Sequence, residues 1–167
     1  MTFLKAEKPS RFVKSLWIVS LACLVILCSC RTRKSAYSTD ATGKPLFTTL
    51  ARGSYSGIDQ SVDITITSQE KWEELWNEVH RDYLSPVPAL PEVDFAAETV
   101  AATFMGSRPT GGYSIEIEKI CRQQGKYTAV VRTVSPQPGE MLTMAITRPF
   151  HIIKIDRPEM EIEFIRK

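Results

Sequence analysis

The chain has 167 residues, of which 43% are hydrophobic and 24% are charged, and these values are typical of one folded domain with short additional segments. The formal net charge is +2, but four basic residues and one acidic residue lie within the first 29 positions, which leaves 17 basic and 18 acidic residues in the remainder. A remainder this close to neutrality lacks the basic surface that nucleic-acid binding requires, so no nucleic-acid partner is expected.

The N-terminal 29 residues have the organisation of an export signal. A basic segment from Lys5 to Lys14 precedes an apolar run from Leu16 to Leu27. This run is shorter than the roughly 20 residues that a membrane-spanning helix needs. Residues 1–29 are therefore predicted to be a signal peptide, and an uncleaved signal anchor is the alternative.

The apolar run ends in Leu27-Cys28-Ser29-Cys30, which resembles the lipobox of bacterial lipoproteins. In that family the final cysteine receives a diacylglycerol, cleavage occurs before it, and the new N-terminus is usually acylated, as with palmitate. The resemblance implies that Cys30 is lipidated and that its acyl chains hold the protein at a membrane. Cys23 and Cys28 are weaker candidates for this role. Arg31, where an aspartate would suggest inner-membrane retention, favours an outer-membrane location in the cell envelope.

Residues 30–45 are polar and have no apolar periodicity, so they are predicted to be a flexible tether between the lipid and the domain. The domain then occupies residues 46–167. Cys121 is the one cysteine in that range, so the domain cannot contain an internal disulfide and its core must supply the stability.

Two strands and one helix are predicted to begin the domain. Phe47 to Tyr55 forms a first strand, and the alternating residues from Val62 to Thr67 form a second, half-buried one. Thr67 and Glu70 have the spacing of a capping box. Apolar residues at helical spacing then predict one amphipathic helix, and they are Trp72, Leu75, Trp76 and Val79.

The rest of the domain is predicted to consist of strands. An extended connection with Pro86, Pro88 and Pro91 leads to a short apolar strand from Thr99 to Met105, covered on both faces. An alternating strand from Tyr113 follows, and Gln124-Gly125 is a plausible hairpin turn. The remaining predicted strands are Tyr127–Val134, Met141–Thr147, Phe150–Ile155 and Glu161–Ile165.

Successive strands with short links favour antiparallel pairing, and the single amphipathic helix must bury its tryptophans against a sheet. The predicted fold class is therefore α+β, mainly β. Its form is either an antiparallel sandwich or a strongly curled sheet with one amphipathic helix packed on it.

The sequence contains no pattern that indicates catalysis, a metal or a cofactor. Gly53-Ser54-Tyr55-Ser56-Gly57 has the spacing of a nucleophile elbow but carries tyrosine in place of the nucleophilic serine. The two histidines, His80 and His151, are predicted to end a helix and to lie in a strand with buried neighbours, respectively. No metal-ligand spacing involves them or Cys121. We therefore expect a protein that is not an enzyme.

Two loops combine arginine with aromatic residues, the composition of many protein–protein hot spots. They are candidate partner-binding segments, although both could simply be turns. Their residues are Arg108, Thr110, Gly111, Gly112 and Tyr113 in the first loop and Arg148 and Phe150 in the second.

These loops also carry a resemblance to a known family. Thr110-Gly111-Gly112-Tyr113-Ser114-Ile115, the break from Pro136 to Gly139 and the stretch from Ile146 to Ile155 resemble the C-terminal domain of the protease-complex subunit PrcB family. The helix around Trp72 and the Val93-Asp94-Phe95 segment fit as well. The resemblance implies a non-catalytic lipoprotein subunit that associates with an exported protease, or another envelope protein, and stabilises it. The sequence departs from the family at Arg148-Pro149-Phe150, where relatives more often lack the arginine and end in tyrosine.

A second resemblance is looser. Pro109 to Tyr113, followed by Arg148-Pro149-Phe150, is similar to the loop motifs of chagasin-type inhibitors of cysteine proteases. That resemblance implies an immunoglobulin-like fold and a protease inhibitor as the alternative function.

Overall fold

The computed structural model describes residues 46–82, 86–123, 126–156 and 162–167. The predicted signal peptide, Cys30, the tether and the Gln124-Gly125 turn lie outside these residues. Within them, no helix combines the length and apolarity that crossing a membrane would require.

The described residues form two β-sheets and one helix. A four-stranded sheet has the order β1-β6-β3-β2, and a three-stranded sheet has the order β4-β5-β7. This architecture confirms the predicted α+β, mainly β class. The elements in chain order are β1 Phe47–Gly53, β2 Ser61–Ile66, α1 Gln69–His80, β3 Thr99–Met105, β4 Ser114–Gln123, β5 Lys126–Val134, β6 Phe150–Ile155 and β7 Ile162–Arg166.

The four-stranded sheet is the middle layer, and both of its faces are covered. Every residue of β3 is buried, which confirms the central strand predicted from its apolar run. Alternate side chains of β3 and β6 pack towards α1 in one core and towards the three-stranded sheet in a second core. The first core includes Trp72, Trp76, Val100, Ala102, Phe104 and Ile152, and the second includes Ala101, Ile117, Val131, Ile153 and Ile155.

The predicted helix is confirmed, and the proline-rich connection fits against it. Trp72 and Trp76 are buried in the first core. The indole N–H of Trp72 donates to the Pro91 carbonyl at 3.0 Å, and that of Trp76 donates to the Pro88 carbonyl at 2.9 Å. The extended connection therefore satisfies both buried indoles. The predicted capping box is wrong, because the helix is capped one residue later, at Ser68, without a side-chain hydrogen bond.

Two strand predictions are also wrong. Strands β5 and β7 pair in parallel, because the chain leaves the three-stranded sheet after β5, crosses to the other sheet as β6 and returns in its original direction. Residues 141–147 do not form a strand, and their bridge to the rest of the fold is a single antiparallel pair between Arg108 and Thr147. Pro149 just beyond this pair has no backbone N–H, so it cannot donate to a longer ladder.

Candidate functional site

The loop from Gly106 to Tyr113, which we call the Gly-Gly loop, follows β3 and is fixed by the segment that precedes β6. The backbone N–H of Arg108 donates to the Thr147 carbonyl at 2.8 Å, and that of Thr147 donates back at 3.0 Å. The Thr147 hydroxyl donates to the carbonyl of Thr110 at 2.8 Å. These bonds join the two loops singled out in the sequence, although 37 positions separate Thr110 from Thr147.

The Gly-Gly pair lies against residues 136–143, and Gly112 has a local reason to be glycine. Gly112 has φ +82, and a Cβ atom there would lie 2.9 Å from a Leu142 methyl carbon and 3.0 Å from Cβ of Pro136. A Cβ atom on Gly111 would lie 3.4 Å from Cβ of Thr143, whose carbonyl accepts the Gly111 N–H at 2.9 Å. The pair therefore allows residues 136–143 to pack directly against the loop backbone.

Arg108 and Tyr113 form one part of the predicted arginine-aromatic group. The guanidinium carbon of Arg108 lies 5.8 Å from the centroid of the Tyr113 ring, within the range of a cation–π contact. Its Nη2 donates to the Met105 carbonyl at 2.9 Å. Within the described residues, the buried Nε of Arg108 has no hydrogen-bond partner. Both side chains are half-buried at the surface of the loop.

Arg148 makes its described contacts with the β1–β2 loop and with Ser107 at the start of the loop that carries Arg108 and Tyr113. Its Nε lies 2.5 Å from a carboxylate oxygen of Asp59 and 3.2 Å from the hydroxyl of Ser107. Its backbone N–H donates to the Ser54 carbonyl at 2.8 Å. The Ser107 hydroxyl donates to the same carboxylate at 2.9 Å, and this bond together with Arg148 holds the pKa of Asp59 below its usual value. Arg148 thus ties the β1–β2 loop to the start of the Gly-Gly loop.

Phe150 lies in the core, contrary to the expectation of an exposed arginine-aromatic surface. Its side chain is 5% exposed, and its ring stacks on Phe104 with centroids 6.2 Å apart. A Cβ atom on Gly53 would lie 3.0 Å from this ring, so the neighbouring strand leaves no space around it. Because Phe150 is the first residue of β6, its side chain follows the alternation of that strand and points towards α1.

The site exposes apolar side chains that no pattern in the sequence had singled out. Met141 is fully exposed, and Met144 and Ile146 are 86% and 60% exposed. They project from residues 141–146, which were predicted to form a strand. We call these three side chains the methionine surface. The breaks at Pro136 and Gly139 before this segment were the available signal that it would not join a sheet.

Neither histidine is placed for general-base chemistry. The His151 side chain is 2% exposed, its Nδ1 accepts the backbone N–H of Ile117 at 2.9 Å, and its Nε2 lies 2.9 Å from the Thr49 hydroxyl. Burial lowers the pKa of His151 to about 4. Buried His80 bonds through Nδ1 to the Trp76 carbonyl at 2.8 Å. In the part of the chain that the structure describes, no group of three potential metal-ligating side chains occurs.

The segment that contains this site matches a known protein family. Residues 99–156 match the PrcB C-terminal family. No curated protein and no solved structure matches the chain significantly. The matched segment begins with β3 and ends one residue after β6, so it includes both joined loops and the methionine surface. The resemblance to PrcB found in the sequence is confirmed over these residues.

Proposed function

We propose that this protein is a lipid-anchored, non-catalytic subunit of the bacterial cell envelope that binds and stabilises an exported protease. The PrcB C-terminal match supports association with a protease complex. The lipobox at Cys30 supports anchoring to a membrane, with the outer membrane favoured. The methionine surface is the part of the domain that we assign to the partner.

The main support for the proposal is that the methionine surface faces water although the residues between and beyond its side chains are bonded to the fold. Between the exposed methionines, the Leu142 side chain packs against Gly112 and the Thr143 carbonyl accepts the Gly111 N–H. Beyond Ile146, Thr147 is buried, and both its backbone N–H and its carbonyl are hydrogen-bonded to the backbone of Arg108. The backbone on which the exposed side chains lie is therefore bonded to the fold at Thr143 and at Thr147. Exposed apolar side chains in a fixed arrangement are typical of protein-binding surfaces.

The chemistry of the surface fits a protein partner better than a small ligand. Small-molecule sites are concave and bury most of the ligand, whereas the fully exposed Met141 projects away from the domain. Methionine side chains adapt their shape to a partner surface, and tyrosine and arginine are enriched among residues that dominate binding energy. Tyr113 and Arg108 supply both on the adjoining loop, against whose Gly111 and Gly112 residues 136–143 pack.

The partner assignment is tested by purifying the tagged, full-length lipidated chain from its host in mild detergent. An exported protease is expected to co-purify with the wild-type chain and to be lost from Met144→Glu, because the new charge would be buried unpaired in the interface. Val87→Glu is the matched control, since Val87 is also an exposed apolar residue but lies in the proline-rich connection. Absence of any protease from the wild-type preparation, or equal recovery with both variants, would contradict the proposal.

A protease inhibitor of the chagasin type is the second candidate, and one observation favours it. The two loops that carry the resemblance are directly joined by the Arg108–Thr147 pair, so they present a common surface. The burial of Phe150 weighs against it, because that aromatic side chain is not available to an enzyme cleft. This candidate predicts that the full-length chain inhibits a papain-like protease and that Tyr113→Ala weakens inhibition. Absence of inhibition at high micromolar concentration would eliminate it.

A further inference from the structure

We propose that Met141 and Met144 are oxidation sites, and that their conversion to sulfoxides switches the methionine surface from an apolar to a polar state. The oxidant is a peroxide that reaches the domain from solution. The consequence for partner binding rests on the proposed function, whereas the assignment of the two oxidation sites does not.

The assignment depends on a contrast between methionines of the same chain. Thioether oxidation follows the accessibility of the sulfur. Met141 is fully exposed and Met144 is 86% exposed, whereas Met105 at the end of β3 is 5% exposed and belongs to the core between the two sheets. Met105 therefore serves as an internal reference for a methionine that the fold protects.

The reaction needs no component beyond the peroxide. The sulfur attacks one peroxide oxygen, an S–O bond forms and the O–O bond breaks, and the second oxygen leaves as water after proton transfer. The sulfur loses two electrons and the peroxide gains them. The product is a sulfoxide, which is polar and accepts hydrogen bonds, and methionine sulfoxide reductases can reverse the change.

The position of the two residues determines what the switch does. Because Leu142 and Thr143 hold the segment from its inner side, oxidation of the outward residues leaves these anchoring contacts in place. The fold is thus expected to tolerate oxidation, while two of the three apolar side chains of the methionine surface become polar. Burying a sulfoxide without a hydrogen-bond donor in an interface is unfavourable.

The first part of the experiment measures the oxidation of each methionine in the full-length lipidated protein by peptide mass spectrometry after graded hydrogen peroxide treatment. Met141 and Met144 are expected to gain oxygen about tenfold faster than Met105, and treatment with methionine sulfoxide reductases is expected to reverse the gain. Equal rates for the three residues in the folded protein would overturn the assignment.

The second part compares the wild-type chain with a double Met141→Leu, Met144→Leu variant, which keeps an apolar surface but has no sulfur there. Oxidised wild type is expected to recover about tenfold less protease than reduced wild type, and the variant is expected to be unaffected by peroxide. Both proteins retain Cys121, so oxidation of that thiol cannot produce the difference. Equal peroxide sensitivity of the two proteins would overturn the switch. If reduced wild type recovers no protease, the proposed function fails, while the ratio of oxidation rates still decides the assignment of the sites.

Discussion

The ring of His151 in β6 accepts the backbone N–H of Ile117 in β4, and this hydrogen bond crosses the core from one sheet to the other. It lies where the pairing of β4 with β5 shifts register between Ile117 and Lys119. A bulge leaves backbone groups without ladder partners, and a buried N–H without a partner is unfavourable. His151 supplies the acceptor. Because Nδ1 accepts, the neutral ring carries its proton on Nε2 and donates it to Thr49.

Stability is expected to fall in acid because of this arrangement. Burial lowers the pKa of His151 to about 4 from 6.5, with Glu116 opposing the shift and Arg52 adding to it. The unfolded chain therefore binds the proton more readily than the folded one. The contribution of neutral His151 to the free energy of unfolding is complete above pH 6.5. As the pH falls towards 4, the free energy of unfolding decreases by about 3 kcal/mol. Urea unfolding at a series of pH values measures this slope. His151→Leu should be less stable at pH 7 and should lack the slope between these values, and an unchanged slope would contradict the assignment.

Gly112→Ala is expected to destabilise the domain more than Gly139→Ala. Both glycines have positive φ, +82 and +88, so both substitutions incur a backbone penalty of about 1–2 kcal/mol. Only the Gly112 substitution also meets Leu142 and Pro136, whereas nothing lies within 4 Å of a Cβ atom at Gly139. Thermal unfolding of the two variants isolates the packing contribution. Equal unfolding midpoints would show that Leu142 and Pro136 do not pack tightly against Gly112.

The pKa of the Asp59 carboxyl is expected to rise when either of its partners is removed. The hydrogen bond from the Ser107 hydroxyl is the largest single cause of the lowered pKa, and Arg148 adds both a hydrogen bond and its charge. Ser107→Ala and Arg148→Ala should each shift the carboxyl titration, followed by NMR, towards higher pH. A titration that is the same in wild type and both variants would contradict the described contacts.

Membrane attachment is expected to depend on one sulfur atom. Cys30→Ser should abolish incorporation of labelled palmitate and move the protein out of the membrane fraction, because acyl chains supply the anchoring energy. Cys28→Ser is the matched control, since it changes the neighbouring cysteine and leaves the proposed acceptor. If Cys30→Ser remains lipidated and sediments with membranes, the anchoring model is wrong.

Local patterns in the sequence were sufficient to predict the central layers of the fold. The periodicity of apolar residues indicates which faces a segment must bury. It did so in the alternation of β2, the apolar run of β3 and the spacing of Trp72 and Trp76. The parallel pairing of β7 depends on where the chain travels between strands, and no local pattern records that path. The sequence of residues 141–147 has apolar residues that suit a strand, but only Thr147 pairs in a β-bridge with another segment, and Pro149 just beyond it has no backbone N–H.

The candidate site was predicted only in part, because local patterns indicate close contacts but not which face of the fold a side chain occupies. The Gly-Gly pair indicated a close backbone contact, and the structure provides one at Leu142 and Thr143. Whether an aromatic residue faces water or the core depends on the strand position that it occupies. Phe150 therefore could not be distinguished from a surface residue until β6 was placed between two layers.

The pairing of the first strand with the sixth has a consequence for how the domain assembles. Thr49 and His151 are 102 positions apart and meet at a hydrogen bond within the middle layer. The middle layer cannot close until nearly the whole domain has emerged, so the contact order is high and folding is expected to be slow and all-or-none. Proteolytic fragments that end before Ile155 should accordingly remain open chains, and the helix with its two tryptophans should stay protease-sensitive in them.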